Sequence, residues 1–182
     1  CFLSIIDKDI LLIKDELSEL ANYKGIKGTI LIACEGVNGT VCGAENAITQ
    51  FIEKLEQLLK ISKINVKYSW TEKQAFRRFK ARKKKEIVTI GLKQINPAKS
   101  VGKYIKADEW NEFLEDPDSV VIDTRNEYEI KIGNFAGALN PHTSSFREFP
   151  AWVQKYLKPL IKKNPSLKIG MYCTGGIRCE KA

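Results

Sequence analysis

The sequence predicts an α/β protein with two domains, a ferredoxin-like α+β domain followed by an α/β domain with a mainly parallel sheet. Apolar periodicity in the first part of the chain gives the order β-α-β-β-α-β, which is typical of a ferredoxin-like sandwich. Beyond a connector at residues 93–103, strands alternate with helices, which is typical of a parallel sheet. We therefore assign residues 1–95 to the first domain and residues 96–182 to the second.

The elements of the first domain follow from the spacing of its apolar residues. Residues 2–6 predict a strand, and apolar residues at 10, 13, 17 and 20 predict a helix. The segment GTILIAC predicts a second strand, and the Asn-Gly step in EGVNGTVCG predicts a hairpin turn. A second helix has its apolar face at residues 48, 51, 52, 55, 58 and 59. Strands are then expected in NVKYSW (residues 65–70) and in KEIVTIGL (residues 85–92).

The second domain begins after the connector KQINPAKSVGK, in which Asn-Pro, Ser and Gly indicate a loop. ADEWNEFLED predicts a short helix, SVVIDTR a buried strand, and NEYEIKIGNFAGALNP a loop-rich segment. FREFPAWVQKYLKPLI predicts a helix with a proline break, and SLKIGMYC another buried strand. Functional groups are expected at the carboxyl ends of parallel strands, where Asp123 and Cys173 fall.

Composition indicates a soluble cytoplasmic protein with reduced thiols. No apolar run in the 182 residues approaches the roughly 20 needed to cross a bilayer. The apolar start CFLSII is too short and too soon acidic for a signal peptide. The five cysteines form no C-x-x-C pair, which argues against a disulfide framework and a standard zinc site.

Nearly all of the net charge of +8 lies in one stretch, residues 73–86, KQAFRRFKARKKKE. A solvated strand face is the plain interpretation of such a run. Phe76 and Phe79 lie among the cations, however, and aromatic rings can stack on bases while Lys and Arg neutralise phosphates. We therefore expect RNA contact from the cations Lys73, Arg77, Arg78, Lys80, Arg82, Lys83, Lys84 and Lys85.

The segment CTGGIR predicts a loop that binds an anion and activates a thiol. Cys173 and Arg178 enclose Thr174, Gly175, Gly176 and Ile177 directly after an apolar strand. The glycines allow successive backbone N–H groups to turn towards one point. Those groups, the positive end of a following helix and the Arg178 guanidinium would stabilise a thiolate at Cys173. A buried structural cysteine would need neither the Gly-Gly step nor the arginine.

The order of these motifs resembles that of a known family. The C-x4-R loop, preceded by VVIDTRNEYE and IGNFAGALNP, is similar to a rhodanese domain. The longer series LIACEGVNGTVCG, KEIVTIG, VVIDTRNEYE, SSFREFP and CTGGIRCEKA resembles the rhodanese-like tRNA uridine hydroxylase family (TrhO) over essentially the whole chain. The resemblance implies an acylphosphatase-like first domain that contacts tRNA. It also implies a rhodanese-like catalytic second domain that ends, C-terminally incomplete, after the active-site loop.

The resemblance also implies the chemistry. The family makes 5-hydroxyuridine at the tRNA wobble position with molecular oxygen as co-substrate, which implies Cys173 as the catalytic residue and the tRNA anticodon region as the partner. No membrane or obligate protein partner and no further cofactor or metal is expected. A persulfide-forming sulfurtransferase fits the six-residue loop equally well, and an RNA-binding module with an inert rhodanese domain is a third interpretation. A phosphatase fits less well, because its loop carries one more residue.

The remaining polar and cysteine residues are weaker candidates. Asp123 and Arg125 could position the loop or the substrate, or form a strand-end ion pair. Cys179 could be a resolving thiol or could pack in the first helical turn. Two further cysteines, Cys34 and Cys42, are expected in the core, and the single histidine, His142, has no evident partner or function.

Overall fold

The structure is a computed structural model that describes residues 1–92 and 94–182. The chain forms two compact units, Cys1–Ile87 and Val88–Ala182. Lys93, the first residue of the expected connector, lies outside the described residues. Within the described ranges, no helix is both long enough and apolar enough to cross a membrane.

The N-terminal unit is a three-stranded sheet with two helices packed on one face. Its elements are α1 (Asp7–Lys24), β1 (Lys27–Ala33), β2 (Gly36–Cys42), α2 (Glu45–Leu59) and β3 (Phe79–Lys83). The strand order is β2-β1-β3, with β2 antiparallel and β3 parallel to the central β1. Apolar residues from α1, β1 and α2 form one core, in which Phe51 of α2 is 1% exposed. The predicted helices α1 and α2 are confirmed.

The Asn-Gly step is not a turn, although the sequence predicts one there. Asn38 and Gly39 lie inside β2, opposite Leu31 and Ile30 of β1. The hairpin turn is instead formed by residues 34 and 35, because Ala33 already pairs with Gly36. Gly39 is needed for packing, since a Cβ there would meet the backbone and side chain of the opposite strand.

Three of the predicted strands in this part of the chain are also wrong. Residues 2–6 contribute only an isolated bridge from Phe2 to Gly36. Residues 65–70 form no strand, and Trp70 within them is 83% exposed, so they have no buried alternate side chains to hold them on the sheet. The strand is supplied instead by β3, whose Phe79 packs on the core. Residues 85–92 are not a strand either, because the Ile87 N–H donates to the Glu35 side chain (2.7 Å) rather than to a neighbouring strand.

The C-terminal unit is built on two parallel strands, as the sequence predicts. Its elements are α3 (Trp110–Glu115), β4 (Ser119–Asp123), α4 (Glu127–Ile130), α5 (Phe149–Trp152), α6 (Lys158–Lys163) and β5 (Lys168–Tyr172). Helices α5 and α6 are joined by a π-helical turn at Val153–Leu157, just before Pro159, whose missing N–H disturbs the helical ladder. The two strands are in register from Ser119↔Lys168 to Asp123↔Tyr172, which brings their carboxyl ends to one edge.

We expect the first core to depend on Phe51. Phe51→Ala should lower the free energy of unfolding by about 3–5 kcal/mol, because it removes a fully buried ring and leaves a cavity. Leu12→Ala is the matched control on the outer face of α1, where Leu12 is 57% exposed, and should cost about 0.5 kcal/mol or less. Urea unfolding followed by circular dichroism measures both. Equal losses would contradict the assignment of Phe51 to the core.

Candidate active site

The loop Cys173–Arg178 follows directly on β5 and folds back towards the cysteine. Gly176 has a φ of +82°, a left-handed conformation that favours glycine. This conformation lets the Gly176 N–H donate a hydrogen bond to the Cys173 sulfur at 3.0 Å. The glycines therefore turn backbone N–H groups towards the Cys173 sulfur, as the sequence predicts.

The environment of Cys173 favours the thiolate. Its pKa lies well below the ordinary value, first because the Cys179 thiol donates a hydrogen bond to the sulfur. Burial opposes this shift, but backbone N–H groups of Cys179, Arg178 and Gly175 add to it. The same hydrogen bond, together with burial, raises the pKa of Cys179. These opposite directions of the two pKa shifts favour a thiolate at Cys173 beside a protonated Cys179.

Arg178 is held by Glu129 of α4. Its two terminal nitrogens donate to the two Glu129 oxygens at 2.6 and 2.7 Å, a bidentate ion pair in which both side chains are about 15% exposed. The Thr174 hydroxyl donates to the same carboxylate at 2.7 Å. The hydrogen bonds from Arg178 are the main cause that lowers the pKa of Glu129 to about 2, against the opposing effect of burial. Glu129 therefore ties both ends of the loop to α4.

Glu129 is a site residue that the sequence analysis missed. Its Oε2 atom also accepts the backbone N–H of Asn126 at 3.1 Å, which is half of a capping box at the start of α4. The pattern Asn126-x-x-Glu129 was the available signal, because a cap residue followed three positions later by Glu indicates a helix start. The pattern locates the helix, but it gives no sign that the carboxylate also reaches Arg178.

Asp123 and Arg125 form an ion pair at the end of β4. Asp123 is fully buried and accepts hydrogen bonds from Arg125 Nη2 and from the Tyr172 hydroxyl, both at 2.6 Å. Burial alone would raise the pKa of Asp123, but these hydrogen bonds hold it below its ordinary value. Arg125 also donates to the Gly133 carbonyl at 2.6 Å. Because Tyr172 directly precedes Cys173, the pair fixes the position from which the loop begins.

Thr124, which the sequence analysis did not single out, links the two strand ends to Cys179. Its side chain donates to the Tyr172 carbonyl at 3.0 Å and lies 3.4 Å from the Cys179 sulfur. Cys179 begins a single 3-10 turn, Cys179–Lys181. The buried Lys181 side chain closes this turn with a hydrogen bond to the Val88 carbonyl at 2.8 Å.

The other cysteines and the histidine differ from expectation. Cys34 is exposed in the hairpin turn, 3.5 Å from Asp7 Oδ1, so its assignment to the core is wrong. Cys42 is half-buried in β2. His142 does have a neighbour, since its Nδ1 lies 3.3 Å from a Glu127 oxygen. Among the described residues, no group of three or more His, Cys, Asp or Glu side chains is arranged to hold a metal ion.

The structure divides the basic stretch, which looks uniform in the sequence. Lys73, Arg77 and Arg78 precede β3, the residues Lys80, Arg82 and Lys83 lie within it, and Lys84 and Lys85 follow it. Phe79 packs edge-on against Phe51, with ring centroids 5.7 Å apart, so it cannot also stack on a base. The Lys83 amine forms an ion pair with Asp7 at 2.7 Å.

These features define a rhodanese-like protein with an added N-terminal domain, and comparisons with known proteins agree. Residues 2–87 match the model of the UPF0176 acylphosphatase-like domain, and residues 106–182 match the rhodanese-like domain. A protein of Prochlorococcus marinus strain NATL2A, named tRNA uridine(34) hydroxylase, is 84% identical over 181 residues, covering 100% of this chain and 57% of the relative.

Two other relatives with the same name are more distant. One, from Prochlorococcus marinus strain MIT 9303, is 54% identical over 94% of this chain and 55% of its own length. The other, from Synechococcus sp. strain CC9605, is 50% identical over 91% of this chain and 52% of its own length. The chain thus spans a little more than half the length of these relatives, and it belongs to their family.

We expect the alkylation of Cys173 to be nearly independent of pH. Because its pKa is lowered, the reactive thiolate is already fully formed at neutral pH. Its reaction with iodoacetamide should stay almost constant between roughly pH 6 and 8, while that of Cys34, whose pKa is raised, should rise about tenfold per pH unit. Mass spectrometry of the alkylated peptides measures both rates.

Substitution of Cys179 tests the cause of this shift. Cys179→Ala removes the hydrogen-bond donor and should move the Cys173 profile to higher pH, whereas Cys179→Ser keeps a donor and should move it less. Parallel profiles for Cys173 and Cys34 in the unsubstituted protein would refute the lowered pKa of Cys173.

We expect Glu129→Gln to destabilise the protein by about 1–3 kcal/mol at pH 7, because Arg178 loses its charged acceptor. In the unsubstituted protein the pKa of Glu129 is lowered from 4.5 to about 2. The carboxylate therefore adds stability that is fully present above about pH 4.5 and is lost as the pH falls towards 2. The difference in unfolding free energy between the unsubstituted protein and Glu129→Gln should therefore begin to shrink below about pH 5 and continue to shrink towards pH 2. A constant difference in urea titrations would argue against the ion pair.

Proposed function

We propose that this protein hydroxylates the wobble uridine of tRNA to 5-hydroxyuridine in an oxygen-dependent reaction, with Cys173 as the catalytic residue. The observation that carries the proposal is the lowered pKa of Cys173 inside a loop of inward-facing N–H groups. At neutral pH a thiolate at this position can act as a nucleophile or take part in the reaction with oxygen. The substrate follows from the relatives, which are named tRNA uridine(34) hydroxylase.

The proposal assigns each part of the site a task. Cys173 meets the reacting atoms, and the N–H groups of the loop with the Cys179 thiol stabilise negative charge on its sulfur. Glu129 and Arg178 hold the loop in this shape and so act as positioning residues. Asp123, Arg125 and Tyr172 position the strand end from which the loop begins. Molecular oxygen is the proposed co-substrate, the anticodon region of tRNA the partner, and the cytoplasm the location.

A sulfurtransferase is the second candidate, and the loop itself favours it. The six residues Cys173–Arg178 close around one sulfur, and residues 106–182 match a rhodanese-like domain. The same N–H groups that stabilise a thiolate would stabilise the terminal sulfur of a persulfide on Cys173. Thiosulfate separates the two functions, because a sulfurtransferase would take its outer sulfur onto Cys173 as a persulfide, release sulfite, and then pass the persulfide sulfur to an acceptor.

We expect Cys173→Ser to abolish the modification while leaving the fold intact. The gene encoding this chain is expressed in a bacterium that lacks 5-hydroxyuridine, and the nucleosides of its tRNA are measured by mass spectrometry. The unsubstituted gene should restore the modified nucleoside, and Cys173→Ser should reduce it by orders of magnitude. Cys34→Ser, at the exposed cysteine of the hairpin turn, is the matched control and should change little.

Growth under ¹⁸O₂ tests the oxygen source, because a hydroxyl group derived from molecular oxygen makes the nucleoside heavier. Wild-type amounts of 5-hydroxyuridine in the Cys173→Ser strain would refute the catalytic assignment. Transfer of sulfur in place of oxygen would replace the hydroxylase with the sulfurtransferase. RNA binding without either product would indicate an inert rhodanese domain.

A further inference from the structure

The sheet of the N-terminal unit carries helices on one face only. Helices α1 and α2 share a core with Ile30 and Ile32 of β1, which point to the same side. The side chains that alternate with them point to the opposite side, which we call the open face. By strand register the open face contains Thr29 and Leu31 of β1, Asn38 and Thr40 of β2, and Lys80 and Arg82 of β3. All six are half-buried or exposed.

Because successive side chains of β3 point to opposite faces of the sheet, the cations within this strand lie on different faces. Lys80 and Arg82 stand on the open face, opposite Thr29 and Leu31 of β1. Lys83 has the other parity and pairs with Asp7 at the start of α1. In the described part of the chain, neither Lys80 nor Arg82 has an acidic side chain within ion-pair distance. Two cations of the strand are therefore available to an outside anion, and one is not.

A concavity of about 460 Å³ lies at the Thr29 end of the open face, and none of its lining residues is acidic. It is lined by Thr29, Phe76, Arg77, Arg78 and Lys80. The Gly28 N–H donates to the Arg78 carbonyl at 3.1 Å, which attaches this segment to the sheet beside β3. The concavity therefore combines three cations, a hydroxyl group and an aromatic ring on an anchored backbone.

This combination matches the chemistry of a single-stranded RNA segment. Arg and Lys bind phosphate oxygens, an aromatic ring stacks on a base, and a hydroxyl can bond to a ribose or a base edge. An acidic peptide or an anionic membrane would use the cations but would give the ring at residue 76 no planar partner. From the sequence, both Phe76 and Phe79 were candidates to stack on a base. Because Phe79 packs against Phe51, only Phe76 remains for this role.

We propose that the open face is the docking surface for an unpaired segment of RNA, with a phosphodiester and its base held in the concavity. Lys80 and Arg82 then bind the phosphates that follow along β3. This inference rests on the proposed function for the identity of the RNA, a tRNA, and deepens it by naming the surface that holds the substrate.

The test measures how a fluorescently labelled, unmodified tRNA transcript binds to the chain, by anisotropy at several salt concentrations. Lys80→Ala/Arg82→Ala should weaken binding about tenfold or more and lower the salt slope by about two units, because two phosphate contacts are lost. The matched control is Lys54→Ala/Lys168→Ala, which removes the same charge from cations that pair with Glu16 and Asp116. The control should bind within about twofold of the unsubstituted chain.

Two further variants test the roles of charge and ring separately. Lys80→Arg/Arg82→Lys keeps both charges and should retain most of the affinity. Phe76→Ala should weaken binding about fivefold or more without changing the salt slope, because stacking releases no counterions. Circular dichroism and thermal unfolding of each variant confirm that the fold is retained.

Equal losses in the open-face variant and its control would show that net charge alone holds the RNA and would overturn the proposal. An unchanged affinity in Lys80→Ala/Arg82→Ala would also overturn it. Competition by polyglutamate or anionic vesicles at lower concentrations than by unlabelled tRNA would do so in favour of a protein or a membrane. None of these outcomes depends on turnover, so a failed hydroxylase assay and a failed docking surface remain distinguishable.

Discussion

The bidentate ion pair between Arg178 and Glu129 is the interaction on which the Cys173–Arg178 loop depends. Gly175 and Gly176 would have nothing within 4 Å of an added Cβ, so apolar packing does not determine the shape of the loop at its centre. The shape comes from one carboxylate, which accepts four hydrogen bonds, two from Arg178, one from Thr174 and one from the backbone of Asn126. A carboxylate has about four acceptor positions, so the hydrogen-bond acceptor capacity of Glu129 is fully occupied.

This pairing changes the explanation of the lowered pKa of Cys173. The sequence suggested that the Arg178 charge and a following helix would stabilise Cys173. In the structure Arg178 is paired with Glu129 and also interacts with the Cys173 sulfur. The largest stabilising contact is the hydrogen bond from Cys179, with backbone N–H groups next. The hydrogen bond to the Cys173 sulfur is thus a contribution of Cys179 that comes in addition to the resolving and packing roles considered from the sequence.

The sequence was sufficient where structure depends on local periodicity and insufficient where it depends on distant partners. Helices α1 and α2 and the strand before the loop follow from apolar spacing, and the Cys173–Arg178 loop follows from its glycines. The Asn-Gly step led to a wrong turn prediction, because Gly39 is needed for packing against the opposite strand. The strand β3 was not predicted, because the cations between Phe79 and Ala81 obscure their apolar alternation. Glu129 could not be assigned to the site from the sequence, because its partner Arg178 lies 49 positions away.

The cations of the two units differ in whether an acidic side chain already pairs with them, and this difference limits which of them could bind phosphates. Arg178 is about 14% exposed with both terminal nitrogens bound to Glu129, so it could bind a substrate phosphate only by breaking the contact that shapes the loop. The loop is thus suited to one small anion, the sulfur of Cys173. The phosphates of an RNA need cations that reach solvent and lack acidic partners, as the half-buried Lys80 and the exposed Arg82 do. If this protein acts on tRNA as we propose, these cations of the N-terminal unit are better placed than Arg178 to bind its phosphates.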